Sequence, residues 1–173
     1  MLRRIAGHMI RRAERRIGVE FGYIHEIAKT DLGLLARYNR IFGFLDPNRH
    51  APAAAYHAAR LRGAIAADCG TCVEAEINLA RHAGVDAALI DRLLAGEYAA
   101  LPAELAAVAA LADAVTARRE DDPAARDTIR SAYGDAGLIE ICLAMNGAAL
   151  LPGVKRAMGH ATTCDLALLR KTG

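Results

Sequence analysis

Residues 68–80 are the most informative stretch of this chain, and they read DCGTCVEAEINLA. Cys69 and Cys72 are separated by two residues at the start of a segment with helical spacing of apolar residues. At a helix N-terminus, unpaired backbone N–H groups and the positive end of the helix dipole favour a thiolate. The spacing therefore predicts a pair of thiols that forms and breaks a disulfide reversibly. The dipole contributes only roughly 0.3–1 kcal/mol, so we expect neighbouring side chains to assist.

The rest of the chain has the same helical character. Apolar residues recur at helical spacing, no alternating strand pattern exceeds four residues, and the prolines fall at boundaries between segments or in first turns. We therefore predict an all-α, single-domain fold over residues 1–173, with a basic amphipathic helical extension over about 1–45. Beyond the first helix, whose apolar positions run from Leu2 to Ile17, helices are expected near 20–29, 31–44, 52–67, 70–83, 86–95, 102–117, 122–133, 135–150 and 154–170.

Two polar residues lie before and after the cysteines at sequence separations that favour contact with the thiols. Glu76 follows Cys72 by four positions, which places it one helical turn away on the same face. His57 precedes Cys69 by twelve positions, on the helix expected over 52–67. If the chain doubles back at residues 68–70, both side chains can converge on the thiols. We expect a relay in which His57 lowers the thiol pKa and Glu76 moves protons.

These residues resemble the carboxymuconolactone decarboxylase superfamily, and within it the alkylhydroperoxidase D branch. The resemblance runs through Tyr56–Arg62, the Cys-x-x-Cys segment, Glu76–Ala80 and Gly84–Val85, and continues more weakly to residues 151–156. The branch is marked by Glu, eleven residues, Cys-x-x-Cys, three residues and His. This chain matches that spacing without a gap, but His57 stands where the pattern has Glu, and Glu76 stands where it has His.

The resemblance implies a helical alkylhydroperoxidase D-like fold and a thiol-dependent oxidoreductase with Cys69, Cys72, His57 and Glu76 as its catalytic residues. The substrate is then a hydroperoxide or a disulfide, and an external thiol reductant restores the dithiol. It requires no bound cofactor and no metal, and it implies a homo-oligomer. We favour Cys72 for relay-assisted attack on a peroxide and Cys69 for exchange with a partner.

Two other classes of function are compatible with the sequence. One is a lyase like the carboxymuconolactone decarboxylases, which work without the cysteine pair. The other is a non-catalytic helical interaction protein that uses the basic first helix. Turnover that survives alkylation of both thiols would favour the lyase, and ordinary thiol pKa values without thiol-dependent turnover would favour the interaction protein.

Composition limits the partners and the cellular location that we expect for the protein. A net charge of +2 gives no reason to expect nucleic acid, and no run of eighteen apolar residues is present. Arginines at 11, 12, 15 and 16 occupy the place of a signal peptide's apolar stretch, so we expect a cytoplasmic protein. The basic helix lacks aromatic residues on its apolar face, and we expect it to pack between subunits rather than on a membrane surface.

The remaining cysteines are expected to have no catalytic role. Cys142 lies in an apolar helical segment, and Cys164 lies near the end of the chain. Free cysteine is among the most buried residue types, so packing explains both. A structural zinc site needs four ligands, and the sequence offers no second Cys-x-x-Cys or His-x-x-x-His.

Overall fold

The computed structural model describes residues 2–45, 49–166 and 169. About 80% of the chain is helical, and the described residues contain no strand, which confirms the predicted all-α fold. The α-helices are α1 Leu2–Ile17, α2 Gly22–Thr30, α3 Leu32–Asn39, α4 Ala53–Ala66, α5 Gly70–His82, α6 Ala87–Ala95, α7 Ala103–Ala112 and α8 Pro123–Ala157. Short 3₁₀ segments cover Arg40–Leu45 and Tyr98–Ala100, and a π-helical segment, Asp113–Arg118, extends α7.

Aspartate side chains define three of the helix starts. Asp31, Asp86 and Asp122 each accept a hydrogen bond from a backbone N–H in the first turn of α3, α6 and α8. Such caps satisfy N–H groups that have no partner within the helix. They explain why these boundaries fall close to the predicted ones.

The C-terminal third departs from the prediction in two places. The two helices expected over 122–133 and 135–150 are joined in α8, with a kink at Gly134, whose φ is 71°. The helix also continues through Pro152 and ends at Ala157. The predicted helix over 154–170 is therefore wrong for residues 158–165, where Gly159 has a φ of 79° and the chain turns away.

Residues 158–165, which we call the strap, cross the start of α5. The Thr162 carbonyl accepts a hydrogen bond from the Gly70 N–H at 3.2 Å. The Thr162 and Thr71 hydroxyls are 3.0 Å apart, and the Cys164 N–H donates to Asp68 Oδ1 at 3.1 Å. The strap thus covers Cys69, whose exposed fraction is 0%.

The main core is built around α4, which packs on α5, α7 and α8. Its buried face consists largely of alanines with Gly63, and these small residues allow close approach of the helix backbones. A Cβ on Gly63 would overlap the Met145 carbonyl oxygen on α8. A smaller apolar cluster, centred on Ile10, Ala28 and Leu35, joins α1, α2 and α3 into a layer.

The layer formed by α1–α3 is tied to the main body at α5. Asn78 Nδ2 donates a hydrogen bond of 2.8 Å to the Ile17 carbonyl at the end of α1. Large apolar side chains remain exposed on α1 and α8, namely Leu2, Ile5, Met9, Ile139, Leu143 and Leu150. The homo-oligomer expected from the sequence stays a prediction.

Helix α8 is long and apolar enough, by length and composition, to cross a membrane. In its most apolar 18-residue window, 44% of the residues are buried inside the protein. Core helices of soluble proteins meet the same criterion, so this observation does not decide the location of the chain.

The close packing of α4 on α8 predicts opposite effects for two glycine substitutions. Gly63→Ala should lower the free energy of unfolding by about 2 kcal/mol, because the added methyl group displaces the α8 backbone. Gly153→Ala is the matched control in α8, where nothing lies within 4 Å of the added Cβ. It should raise the stability by about 0.5–1 kcal/mol. Urea denaturation of both variants tests this, and equal stabilities would contradict it.

Candidate functional site

Cys69 and Cys72 lie at the start of α5, as predicted. Cys69 is the residue that caps the helix, and its carbonyl accepts hydrogen bonds from the N–H groups of Cys72 at 2.9 Å and Val73 at 3.0 Å. Gly70 is required between them, because a Cβ there would lie 2.8 Å from the Thr163 carbonyl oxygen of the strap. Cys69 is fully buried, whereas Cys72 is half-buried.

The two thiols shift each other's pKa in opposite directions. The neighbouring Cys72 side chain lowers the pKa of Cys69 to about 5, against the opposing effect of burial, and the Cys72 N–H contributes to this lowering. The Cys69 side chain, together with burial, raises the pKa of Cys72. At neutral pH the pair therefore holds one proton: Cys69 is the thiolate, and Cys72 is the thiol.

Lys155 supplies the positive charge near the pair. Its side chain is buried at the end of α8, with Nζ 5.9 Å from the centre of the Tyr23 ring. The Lys155 charge favours the thiolate form of both cysteines. Tyr23 and Tyr38 share a buried hydrogen bond of 2.6 Å beside it. Burial raises the pKa of both phenols, that of Tyr38 to about 12, so they stay protonated.

A largely apolar cavity of about 370 Å³ leads to Cys72. Helix α1 forms one wall with Ala6, Met9, Ile10, Ala13 and Ile17, and Phe21, Ile24 and Leu35 extend that apolar surface. Its polar lining residues are Tyr23, Asn39, Arg60, Cys72 and Glu76. Cavities of this size with few polar groups are typical of small-molecule sites. Cys69 does not line the cavity, so Cys72 is the sulfur that a molecule within it can meet.

Glu76 lies next to the pair, but Arg60 engages it fully. Arg60 Nε donates to Glu76 Oε2 at 2.7 Å, and Arg60 Nη2 donates to Oε1 at 2.9 Å. Both side chains are buried, with side-chain exposures of 9% for Arg60 and 7% for Glu76. The Glu76 charge raises the pKa of Cys72, which favours Cys72 as the protonated partner. The partner of this carboxylate is therefore Arg60 rather than His57.

Among the described hydrogen bonds, none joins His57 to Glu76 or to either cysteine. His57 Nδ1 is buried and has no hydrogen-bond partner among the described residues, and its ring packs edge-on against Tyr56 at 5.3 Å. Burial and then the Arg60 charge lower its pKa to about 4. His57 is therefore neutral at neutral pH. A neutral His57 supplies no cation at neutral pH, and Lys155 is a positive charge that favours the thiolates. A catalytic role for His57 stays a prediction.

Arg60, Lys155 and Tyr23 are site residues that the sequence analysis missed. A charged residue on an otherwise small and apolar helix face was a usable signal for Arg60, since buried charges require partners. Lys155 comes from a different helix, 83 positions beyond Cys72, and nothing in the local sequence links the two. Within the part of the chain that the structure describes, no group of three His, Cys, Asp or Glu side chains is arranged to hold a metal ion.

No protein-family model, no curated protein and no solved structure matches this chain. The resemblance to the alkylhydroperoxidase D branch therefore stays a prediction, and the case for function depends on the geometry of the site.

The charge arrangement predicts the thiol titration of two variants. Ultraviolet thiolate absorbance of the reduced protein should rise with a midpoint near pH 5. Lys155→Met, which keeps the side-chain volume, should raise that pKa by about one pH unit because it removes the nearby cation. His57→Leu is the control and should leave the midpoint unchanged. A midpoint that moves with His57 and not with Lys155 would contradict the assignment.

The buried ion pair predicts a stability effect at Glu76. Glu76→Gln leaves the Arg60 guanidinium buried without its counter-charge, and should lower the free energy of unfolding by about 3 kcal/mol. Combining Arg60→Met with Glu76→Leu removes both charges and should recover most of that loss, because apolar replacements of a buried pair are often neutral. Thermal and urea unfolding measure both. Wild-type stability in Glu76→Gln would show that the pair is not needed.

Proposed function

We propose that this protein is a thiol-dependent oxidoreductase that cycles through a Cys69–Cys72 disulfide and acts on a hydroperoxide or a disulfide. The observation that carries the proposal is the placement of the two cysteines in the first turn of α5, with Cys69 at the helix N-terminus and Cys72 facing a cavity. Burial alone raises the pKa of a cysteine. The lowered pKa of Cys69 supports the proposal, because perturbed thiol pKa values are typical of functional sites.

The first step of the proposed cycle takes place at Cys72. Transfer of its proton to Cys69 creates a thiolate that faces the cavity. This sulfur attacks the terminal oxygen of a hydroperoxide, the O–O bond breaks, and Cys72 becomes a sulfenic acid. The leaving alkoxide takes the proton held by Cys69 and departs as an alcohol. Cys69 is a thiolate again at the end of this step.

The second step forms the disulfide. The Cys69 thiolate attacks the Cys72 sulfur, an S–S bond forms, and hydroxide leaves and is protonated by solvent. The Cys69 pKa of about 5 keeps this nucleophile ionised at neutral pH. An external thiol then reduces the disulfide. A disulfide substrate would follow the same route, with a thiolate as the leaving group.

The surrounding residues have supporting roles in this proposal. Lys155 stabilises the negative charge as it moves between the two sulfurs. The apolar wall formed by α1 excludes water from the reacting sulfur, and limits side reactions of the sulfenic acid. The Arg60–Glu76 pair holds α4 against α5 and fixes the turn that carries Cys72.

Treatment of the reduced protein with tert-butyl hydroperoxide tests the proposal. Trypsin releases both cysteines in one peptide, residues 63–81, and Cys142 in another, residues 131–155. With one equivalent of hydroperoxide, the peptide 63–81 should lose two hydrogens and regain them after reduction. Cys142→Ser is the matched control, and should be oxidised at the wild-type rate.

Two variants separate the roles of the sulfurs. Cys69→Ser should stop at a Cys72 sulfenic acid, detectable with a dimedone probe, since the resolving thiol is missing. Cys72→Ser should lose nearly all reactivity toward the hydroperoxide, because Cys69 is buried away from the cavity. A wild-type protein whose free thiols are unchanged by hydroperoxide and by a disulfide would refute the proposed function.

A further inference from the structure

The proposed cycle leaves one step without an obvious route, which is reduction of the disulfide. An external thiol must reach one of the two sulfurs. Cys69 is fully buried beneath the strap, and Cys72 faces a cavity walled by α1. The partner exchange that the sequence analysis assigned to Cys69 therefore has no direct access in this structure.

Cys164 lies on the strap, beside Cys69. Its backbone N–H donates to Asp68 Oδ1 at 3.1 Å, immediately before Cys69. Its Cα lies 3.6 Å from the position that a Cβ on Gly70 would take, immediately after Cys69. Cys164 therefore lies close to Asp68 and Gly70, the two chain neighbours of Cys69, which places it alongside Cys69. The negative charge of Cys69 also acts on the Cys164 thiol.

Cys164 is half-buried, so it lies between the fully buried Cys69 and the protein surface. The hydrogen bonds that join the strap to the start of α5 are the backbone bond from Gly70 to Thr162 and solvent-exposed ones between Thr162 and Thr71 and between Cys164 and Asp68. Individual hydrogen bonds of this kind contribute only about 1 kcal/mol each. The strap is therefore held at this point by contacts that are individually weak enough to break and re-form.

We propose that Cys164 is a third redox thiol. It attacks the Cys69–Cys72 disulfide, displaces Cys72 and forms a Cys69–Cys164 disulfide, which an external thiol reduces at the surface. This inference rests on the proposed function, since it begins from the disulfide which that function produces. It assigns the strap a chemical role as well as a covering one.

The exchange is balanced without any further reactant. The Cys164 thiolate attacks the Cys69 sulfur, the Cys69–Cys164 bond forms, and the Cys69–Cys72 bond breaks. The electron pair leaves on Cys72, which takes up the proton that Cys164 released. An external thiolate then attacks the Cys164 sulfur, and a second thiol of the same reductant completes the reduction. Cys69 and Cys164 return as thiolate and thiol.

The charges around Cys164 make its thiol more reactive when Cys69 and Cys72 are joined in a disulfide than when they are reduced. Burial, and then the negative charges of Asp68, Cys69 and Asp165, raise the pKa of the Cys164 thiol in the reduced protein. Cys164 is thus protonated and unreactive while Cys69 is a thiolate. Formation of the Cys69–Cys72 disulfide removes the Cys69 charge, so Cys164 ionises more readily when its target is present.

The proposed Cys69–Cys164 disulfide can be tested with the peptides that trypsin releases. Cys164 falls in residues 157–170, separate from the peptide 63–81 that holds Cys69 and Cys72. Diamide oxidation of the reduced Cys72→Ser variant should join these two peptides by a disulfide within one chain. The non-reduced protein should keep its monomer mass on a denaturing gel. Cys142, in residues 131–155, should stay free and serves as the internal control.

The function of the exchange is tested by reduction kinetics. Oxidised Cys164→Ser should react with dithiothreitol about tenfold or more slowly than oxidised wild type, because only the less accessible disulfide remains. It should form the Cys69–Cys72 disulfide with hydroperoxide at the wild-type rate, and Cys142→Ser should match wild type in both steps.

Absence of the joined peptides, or an unchanged reduction rate in Cys164→Ser, would overturn the role of Cys164. Failure of the proposed function would look different. In that case the wild-type peptide 63–81 would not lose two hydrogens with hydroperoxide or with a disulfide, whatever the state of Cys164.

Discussion

The placement of Cys69 and Cys72 together in the first turn of α5 is the constraint on which the arrangement of the site depends. In this arrangement the pKa of the Cys69 thiol is lowered and that of the Cys72 thiol is raised, so Cys69 is the group that ionises first. The backbone at the start of α5 fixes the distance between them, and Gly70 leaves room for the strap that covers Cys69. The division into a buried thiolate and a cavity-facing thiol follows from this placement.

The surrounding fold places a positive charge near each buried negative group of the site, because a buried charge without a partner is costly. Lys155 approaches the sulfurs from α8, and Arg60 neutralises Glu76 between α4 and α5. A core of alanines with Gly63 brings these helices close enough for the charged side chains to meet. Helix α1 then forms one wall of the cavity, so part of the apolar face of the basic first helix lines the site.

Local patterns in the sequence were sufficient for the helices, the position of the cysteine pair and the proximity of Glu76 to Cys72. Helical spacing and capping aspartates act over a few residues, so these features could be predicted. The partner of Glu76 could not, because Arg60 and His57 are three positions apart on α4 and only the packing of α4 on α5 selects between them. Lys155 and the strap depend on the course of α8 past Pro152, where local rules predicted a break.

The pH dependence of the reduction potential of the Cys69–Cys72 pair tests the central claim most directly. If the reduced pair holds a single proton, forming it from the disulfide consumes one proton for two electrons. The potential should then fall by about 30 mV per pH unit between pH 6 and pH 8 in dithiothreitol redox buffers. A slope of about 59 mV per pH unit would mean that both thiols are protonated. Such a slope, or a pair that cannot be oxidised reversibly, would contradict the account.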